Sequence, residues 1–147
     1  MKNNKGCISS VVIGVLLSEG KILLTQRSDS SLEGETSFRG FWQFPGGGVE
    51  FGEDPEYSVV RELKEELGVN VSVVSFLPHI YTSVRKNWQG IFMVYICKMR
   101  SLKEQKIVLN DEATEYRWCS LSEIRKMSTF PLTSEIAEAS FLQLGLL

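Results

Sequence analysis

The 147-residue chain has little of what usually announces a disulfide scaffold or a transition-metal site: three cysteines, Cys7, Cys97 and Cys119, and one histidine, His79. An odd, sparse set of cysteines with no metal-ligand spacing excludes a disulfide framework and reads as reduced core thiols of a cytoplasmic protein. His79, next to Pro78, reads as structural or exposed rather than catalytic. An excess of positive charge is also missing. Lysine and arginine total 16 against 18 aspartates and glutamates, for a net charge of −2, so there is no basic footprint for bulk nucleic-acid binding through the phosphate backbone. Long hydrophobic runs are absent. The apolar stretch Val11–Leu17 is too short to cross a bilayer, and the opening Met1-Lys2-Asn3-Asn4-Lys5 is polar, so neither a membrane span nor a signal peptide is expected.

What remains is ordinary for a globular protein, with 43% hydrophobic and 23% charged residues, and a length that fits one domain over residues 1–147. Val11–Leu17 and Lys21–Gln26 flank Ser18-Glu19-Gly20 as a hairpin signal. Residues 28–39 are polar and serine-rich and read as an exposed loop. Val69–Phe76 alternates weakly and continues past Pro78 towards Val84. Ile91–Met99 is a nearly unbroken apolar run, as in a strand covered on both faces. Glu115–Cys119 is a further short strand, and Leu121–Met127 and Thr133–Leu144 read as helices. Strands interleaved with helices predict an α/β sandwich around a mixed sheet.

The most informative segment lies between these elements. Asp54 suits an N-cap, Pro55 a first helical position, Glu56 the positive end of the dipole and Gly68 a C-terminal stop. Val59, Val60, Leu63 and Leu67 recur at helical spacing. The segment predicts a helix over Pro55–Leu67. On it Glu62, Glu65 and Glu66 stand at i, i+3 and i+4, on one face and away from the apolar stripe. Like charges so placed destabilise a bare helix by roughly 0.2–0.5 kcal/mol per pair. Such a face is either solvated surface or built around a cation, and carboxylates would select Mg²⁺ or a similar hard divalent ion such as Mn²⁺. In front of the helix, Pro45-Gly46-Gly47-Gly48 reads as a tight turn that lets backbone approach a ligand closely.

Gly47, Glu53 and the run Arg61-Glu62-Leu63-Lys64-Glu65-Glu66-Leu67-Gly68-Val69 together resemble the Nudix box, G-x5-E-x7-R-E-U-x-E-E-x-G-U with U aliphatic. Every fixed position matches. Given ordinary composition, seven such identities coincide by chance on the order of once in 10⁸ windows. Weaker resemblance extends to Trp42-Gln43-Phe44-Pro45-Gly46 and to Trp118-Cys119-Ser120-Leu121.

The resemblance implies an α/β/α sandwich with the box helix on one face of a mixed sheet and the C-terminal helix on the other. It implies hydrolysis of a diphosphate linked to a further moiety, most often a nucleoside. Carried over by position, Glu62, Glu65 and Glu66 correspond to metal ligands, with the Gly46 carbonyl as an extra one. Glu53 sits where the family has an acid near the metals, and Arg61 where it has an arginine orienting carboxylates. The expected cofactor is Mg²⁺, with Mn²⁺ able to substitute. Glu112 and Glu115, with neighbouring Asp111, fall where many members supply a further ligand or base; a solvated acidic loop is the alternative.

The substrate is less legible. Phe38, Phe41, Trp42, Phe44, Tyr81 and Trp88 offer stacking surfaces, although aromatics in strands are more often core, and Arg27, Arg39 and Arg85 offer phosphate contacts. Phe44, beside Pro45, and Arg27, at a strand end, are the expected substrate-binding residues. A nucleoside triphosphate, oxidised or not, cleaved to monophosphate and pyrophosphate is the leading expectation. A nucleotide sugar or ADP-ribose is the alternative within the same chemistry, and a non-catalytic nucleotide sensor the alternative outside it. The full set of box acids favours the enzyme. The expected partner is a small-molecule nucleotide, and a homodimer is left open.

Overall fold

The protein is described by a computed structural model covering residues 5–28, 38–100 and 105–146. Most of the stretch 28–39, read above as a loop, lies outside the described residues. In chain order the elements are β1 (Cys7–Ser18), β2 (Lys21–Arg27), β3 (Trp42–Gln43), β4 (Gly46–Gly48), α1 (Pro55–Leu67), β5 (Val71–Phe76), β6 (Tyr81–Arg85), β7 (Trp88–Met99), β8 (Ala113–Cys119), α2 (Leu121–Ile124) and α3 (Thr133–Gln143).

The hairpin β1–β2 turns through Glu19 and Gly20, with φ of 50° and 75°, the pair of positive angles that matches strand twist in a two-residue turn. β1 is the spine of the sheet. Its last residues pair with β2, Leu17 opposite Ile22, and its middle pairs with β4. Along the other side it runs parallel to β7, from Cys7 opposite Trp88 to Leu16 opposite Cys97. Every other pairing is antiparallel, which makes the eight-stranded sheet mixed.

Alternation along β1 and β7 divides the interior in two. Val12, Leu16 and Cys97 face α1, where they meet Val59, Leu63 and Leu67. Val15, Val94 and Ile96 face the opposite layer, where they meet Ile124, Ile136, Ala137 and Phe141. Val59, Leu63 and Leu67 are fully buried, at roughly 1.5–3 kcal/mol each. The expected α/β/α sandwich is therefore present, with α1 on one face and α2 and α3 on the other.

Helix α1 has the predicted bounds. Asp54 accepts a hydrogen bond from the Glu56 N–H at 2.8 Å, and Gly68 stops the helix at φ 69°. Three details differ from expectation. The Gly46–Gly48 segment is a short strand on β1 rather than a simple turn. The stretch after Val69 is two strands parted at Leu77–Ile80. The helix predicted to reach Met127 ends at Ile124. No described helix is long and apolar enough to cross a membrane.

Candidate functional site

Two groups of carboxylates meet at the junction of β4 and α1, and their surroundings are opposite. The first is centred on Arg61. Its Nε and Nη2 donate to the two oxygens of Glu53 at 2.7 and 2.8 Å. Nη1 donates to Glu62 at 3.0 Å and reaches Glu65 at 3.3 Å. Nη2 also donates to the Gly48 carbonyl at 3.1 Å. The planar fork thus ties the pre-helix loop, β4 and the helix together. The buried Ser58 hydroxyl donates to Glu53. Glu53 has a side chain only 8% exposed, and the Arg61 and Ser58 hydrogen bonds hold its carboxyl down at about 2. Glu53 correspondingly holds Arg61 well above the usual guanidinium range.

The second group contains Glu66. Its Oε2 accepts from the Gly46 N–H at 2.9 Å. Burial, then a hydrogen bond and repulsion with Glu112, push its carboxyl up to about 9. Desolvation and a neighbouring carboxyl both disfavour the charged form of Glu66. Glu62 lies between the two groups. Burial raises its carboxyl above the ordinary value despite the hydrogen bond from Arg61. Glu65 is more than half exposed.

Backbone approach makes this crowding feasible. A Cβ on Gly47 would stand 2.5 Å from the Glu62 carboxyl carbon, so only glycine lets β4 lie directly over the acid. Among the described residues, no group of three Asp, Glu, His or Cys side chains stands preassembled to hold an ion. The donor chemistry nevertheless fits a hard divalent cation. Glu112 raises the Glu66 carboxyl where a cation would favour its charged form, and Glu62 lies behind a glycine wall with no Cβ in the way.

These residues border a cleft of about 590 Å³, a size usual for small-molecule sites. One end is lined by Gly46, Gly47, Gly48, Glu66, Asp111 and Glu112, and the other includes Arg27, Gln43, Arg85, Trp88 and Phe130. Of the two later acids, Glu112 meets Glu66, whereas Glu115 pairs with Arg117 at 3.3 Å on β8 and does not line the cleft. Phe44 is 6% exposed within the core and also borders the cleft. Arg27 lines it too, donating to Gln43 Oε1 at 2.9 Å. His79 packs edge-on against Tyr81 outside it. Sequence reasoning missed Phe130, Gln43 and the Ser58 hydrogen bond. Ser58 carried the one available signal, a hydroxyl one turn after the N-cap.

A family model described as the NUDIX domain matches residues 8–142, nearly the whole chain. The chain belongs to the Nudix family. Nudix proteins generally need a divalent metal. An RNA pyrophosphohydrolase of Gluconacetobacter diazotrophicus is 41% identical over 64 residues, covering 42% of this chain and 38% of that protein. The nucleoside triphosphatase NudI of Salmonella typhimurium is 29% identical over 122 residues, covering 78% and 84%. The crystal structure of a MutT protein from Methanosarcina mazei superposes with a TM-score of 0.75 at 25% identity, covering 96% of this chain and 97% of that one. The span of these relatives that this Nudix chain matches thus runs from about two-fifths to nearly all.

Proposed function

We propose that this Nudix protein is a divalent-metal-dependent pyrophosphohydrolase that cleaves a nucleoside triphosphate to the monophosphate and pyrophosphate. One observation carries the reading: the part-buried Glu66, hydrogen-bonded to the β4 backbone, comes together with Glu112 on the lining of a nucleotide-sized cleft. The nearly full-length similarity to a protein named a nucleoside triphosphatase favours a triphosphate.

In this reading Glu62, Glu65 and Glu66 hold the cation, with the Gly46 carbonyl as a further ligand, and Mg²⁺ or Mn²⁺ suits these oxygen donors. When bound, such an ion neutralises diphosphate charge and acidifies water. Glu53 has both oxygens engaged by Arg61, so it positions the arginine, and Arg61 in turn aims Glu62 and Glu65. Glu112, at the cleft and close to Glu66, is the acid placed to take a proton from water. Glu115, paired with Arg117, contributes least. Arg27 and Phe44 contact the nucleotide. No side-chain nucleophile competes with water in the box, because the Ser58 hydroxyl is buried and hydrogen-bonded to Glu53 and the Asp54 carbonyl.

The test is single-turnover hydrolysis of a nucleoside triphosphate panel in ¹⁸O-water with and without Mg²⁺. Monophosphate and pyrophosphate should appear, with one label in one of the two products, and EDTA should abolish the reaction. Unlabelled products, or a trapped phosphoryl- or nucleotidyl-enzyme, would overturn direct attack by water. Turnover restricted to nucleotide sugars or ADP-ribose would overturn the choice of substrate.

A further inference from the structure

The part of the cleft lined by Arg27, Trp88 and Phe130 is built around an arginine with two N–H groups unpaired among the described residues. Arg85, the last residue of β6, has its Nε and Nη1 buried, and among the described residues neither has a hydrogen-bond partner. The guanidinium is held by aromatic faces instead. Its Cζ lies 5.0 Å from the Phe130 ring centre, 5.1 Å from Trp88 and 5.6 Å from Phe38. Phe38 braces Phe130 edge-on at 4.7 Å. A second cation, Arg27, lies 4.9 Å from the Phe130 ring and donates to Gln43. Stacking orients a guanidinium without using its N–H groups. A buried donor left unpaired is costly, and Arg85 lines the cleft, so a small shift of its guanidinium towards a bound ligand would gain acceptors for donors that now have none.

We propose that this aromatic end is the nucleobase subsite and that Arg85 selects bases with a carbonyl oxygen at purine C6 or pyrimidine C4 over those with an amine at that same position. This rests on the nucleotide reading above. The lining combines two kinds of group: carboxylates suited to a metal-bound phosphate chain, and aromatic rings with guanidiniums stacked on them, around a volume that holds a nucleotide. A planar ring fits beside Phe130 and Trp88 better than a strongly hydrated phosphate does. Arginine has only donors. It therefore matches the O6 and N7 acceptors of guanine or the O4 of uracil and thymine, and meets the amine of adenine or cytosine donor to donor.

The experiment compares kcat/KM of the full chain and its Arg85→Met variant for GTP and UTP against ATP and CTP. The wild type should prefer the oxo bases by about tenfold to hundredfold, the discrimination one well-made base contact supplies. In Arg85→Met that preference should collapse towards one, chiefly through KM. If Arg85→Met does not fold, Arg85→Lys keeps the charge, loses the planar N–H array and should lose the same preference.

A second arm titrates GMP, UMP, AMP, CMP and inorganic phosphate without metal, reading tryptophan fluorescence, to which Trp88 contributes. GMP and UMP should bind more tightly than AMP and CMP in the wild type only. Should no triphosphate be hydrolysed while this binding pattern holds, the proposed activity fails and the subsite stands. Hydrolysis with equal kcat/KM for all four bases overturns the subsite and leaves the activity standing. A loss in Arg85→Met that is uniform across bases, or inorganic phosphate competing with GMP in an Arg85-dependent way, also overturns it.

Discussion

Glu53 and Glu66 are the same residue type, one before α1 and the other within it, yet they are held at opposite ends of the carboxyl range. Glu53 accepts two N–H groups from Arg61 and the Ser58 hydroxyl and is held at about 2. Glu66 is part-buried beside one backbone N–H and a second carboxyl, Glu112, and is pushed to about 9. Environment alone separates the two carboxyls. A carboxylate saturated by a guanidinium is scaffold, because its charge is already committed. A carboxyl buried against another carboxyl is poised, because it lacks a cation that a ligand can bring.

The largest expected effect comes from removing the poised acid. Glu66→Gln keeps the shape and the acceptor for Gly46, and should lower kcat by about 10²–10⁴, the level of the several kcal/mol a catalytic metal supplies. Its apo melting temperature should hold or rise, since no charge needs burying. A variant that melts far below the wild type would show Glu66 to be scaffold, and the contrast would fail.

The scaffold acid should behave in reverse. Glu53→Gln retains one acceptor oxygen and loses the charge that holds Arg61. The apo melting temperature should fall by several degrees, and activity should fall with it because Arg61 no longer aims Glu62 and Glu65. Differential scanning calorimetry beside Mg²⁺-saturated kinetics checks both. An unchanged melting temperature would remove Glu53 from the scaffold.

The pH dependence of stability tests the pair together. Glu66 has its pKa raised on folding, so the folded chain keeps a proton that the unfolded chain releases above its ordinary value. Its contribution is full below about 4.5 and is lost as pH rises towards about 9. Glu53 has its pKa lowered, so its contribution is present above the ordinary carboxyl value and is lost as pH falls towards about 2. A cation competes with the Glu66 proton. Mg²⁺ should therefore raise the melting temperature more at pH 8.5 than at pH 5.5; a hundredfold excess over Kd stabilises by about 2.7 kcal/mol. An equal rise at both values would mean that Glu66 does not participate.

The smallest effect is expected at Glu115. Its exposed pair with Arg117 should contribute less than about 1 kcal/mol, so Glu115→Gln should leave stability and kcat within about twofold, whereas Glu112→Gln should cost at least about tenfold. The reverse order in parallel assays would exchange the two acids in the proposed mechanism.

Much of this protein was decided by short-range features of the chain. The bounds of α1 follow from Asp54, Pro55 and Gly68, because capping and positive φ act within a turn. The placement of Glu62, Glu65 and Glu66 on one face follows from the helical repeat, and the layering of β1 and β7 from alternation. Tertiary structure decided what no local rule reaches. Gly46–Gly48 became a strand because β1 supplies its hydrogen-bond partners; three glycines carry no side-chain pattern to announce it. Glu112 was selected over Glu115 because only one of two acids three residues apart comes to lie against Glu66. Arg85 acquired Trp88 from the adjoining strand of its hairpin, but Phe38 and Phe130 from segments far away in sequence. Caps and periodicities are interactions between near neighbours and can be read along the chain. The shifted carboxyls and the unsatisfied guanidinium arise from burial and from distant partners, which exist only once the layers have packed.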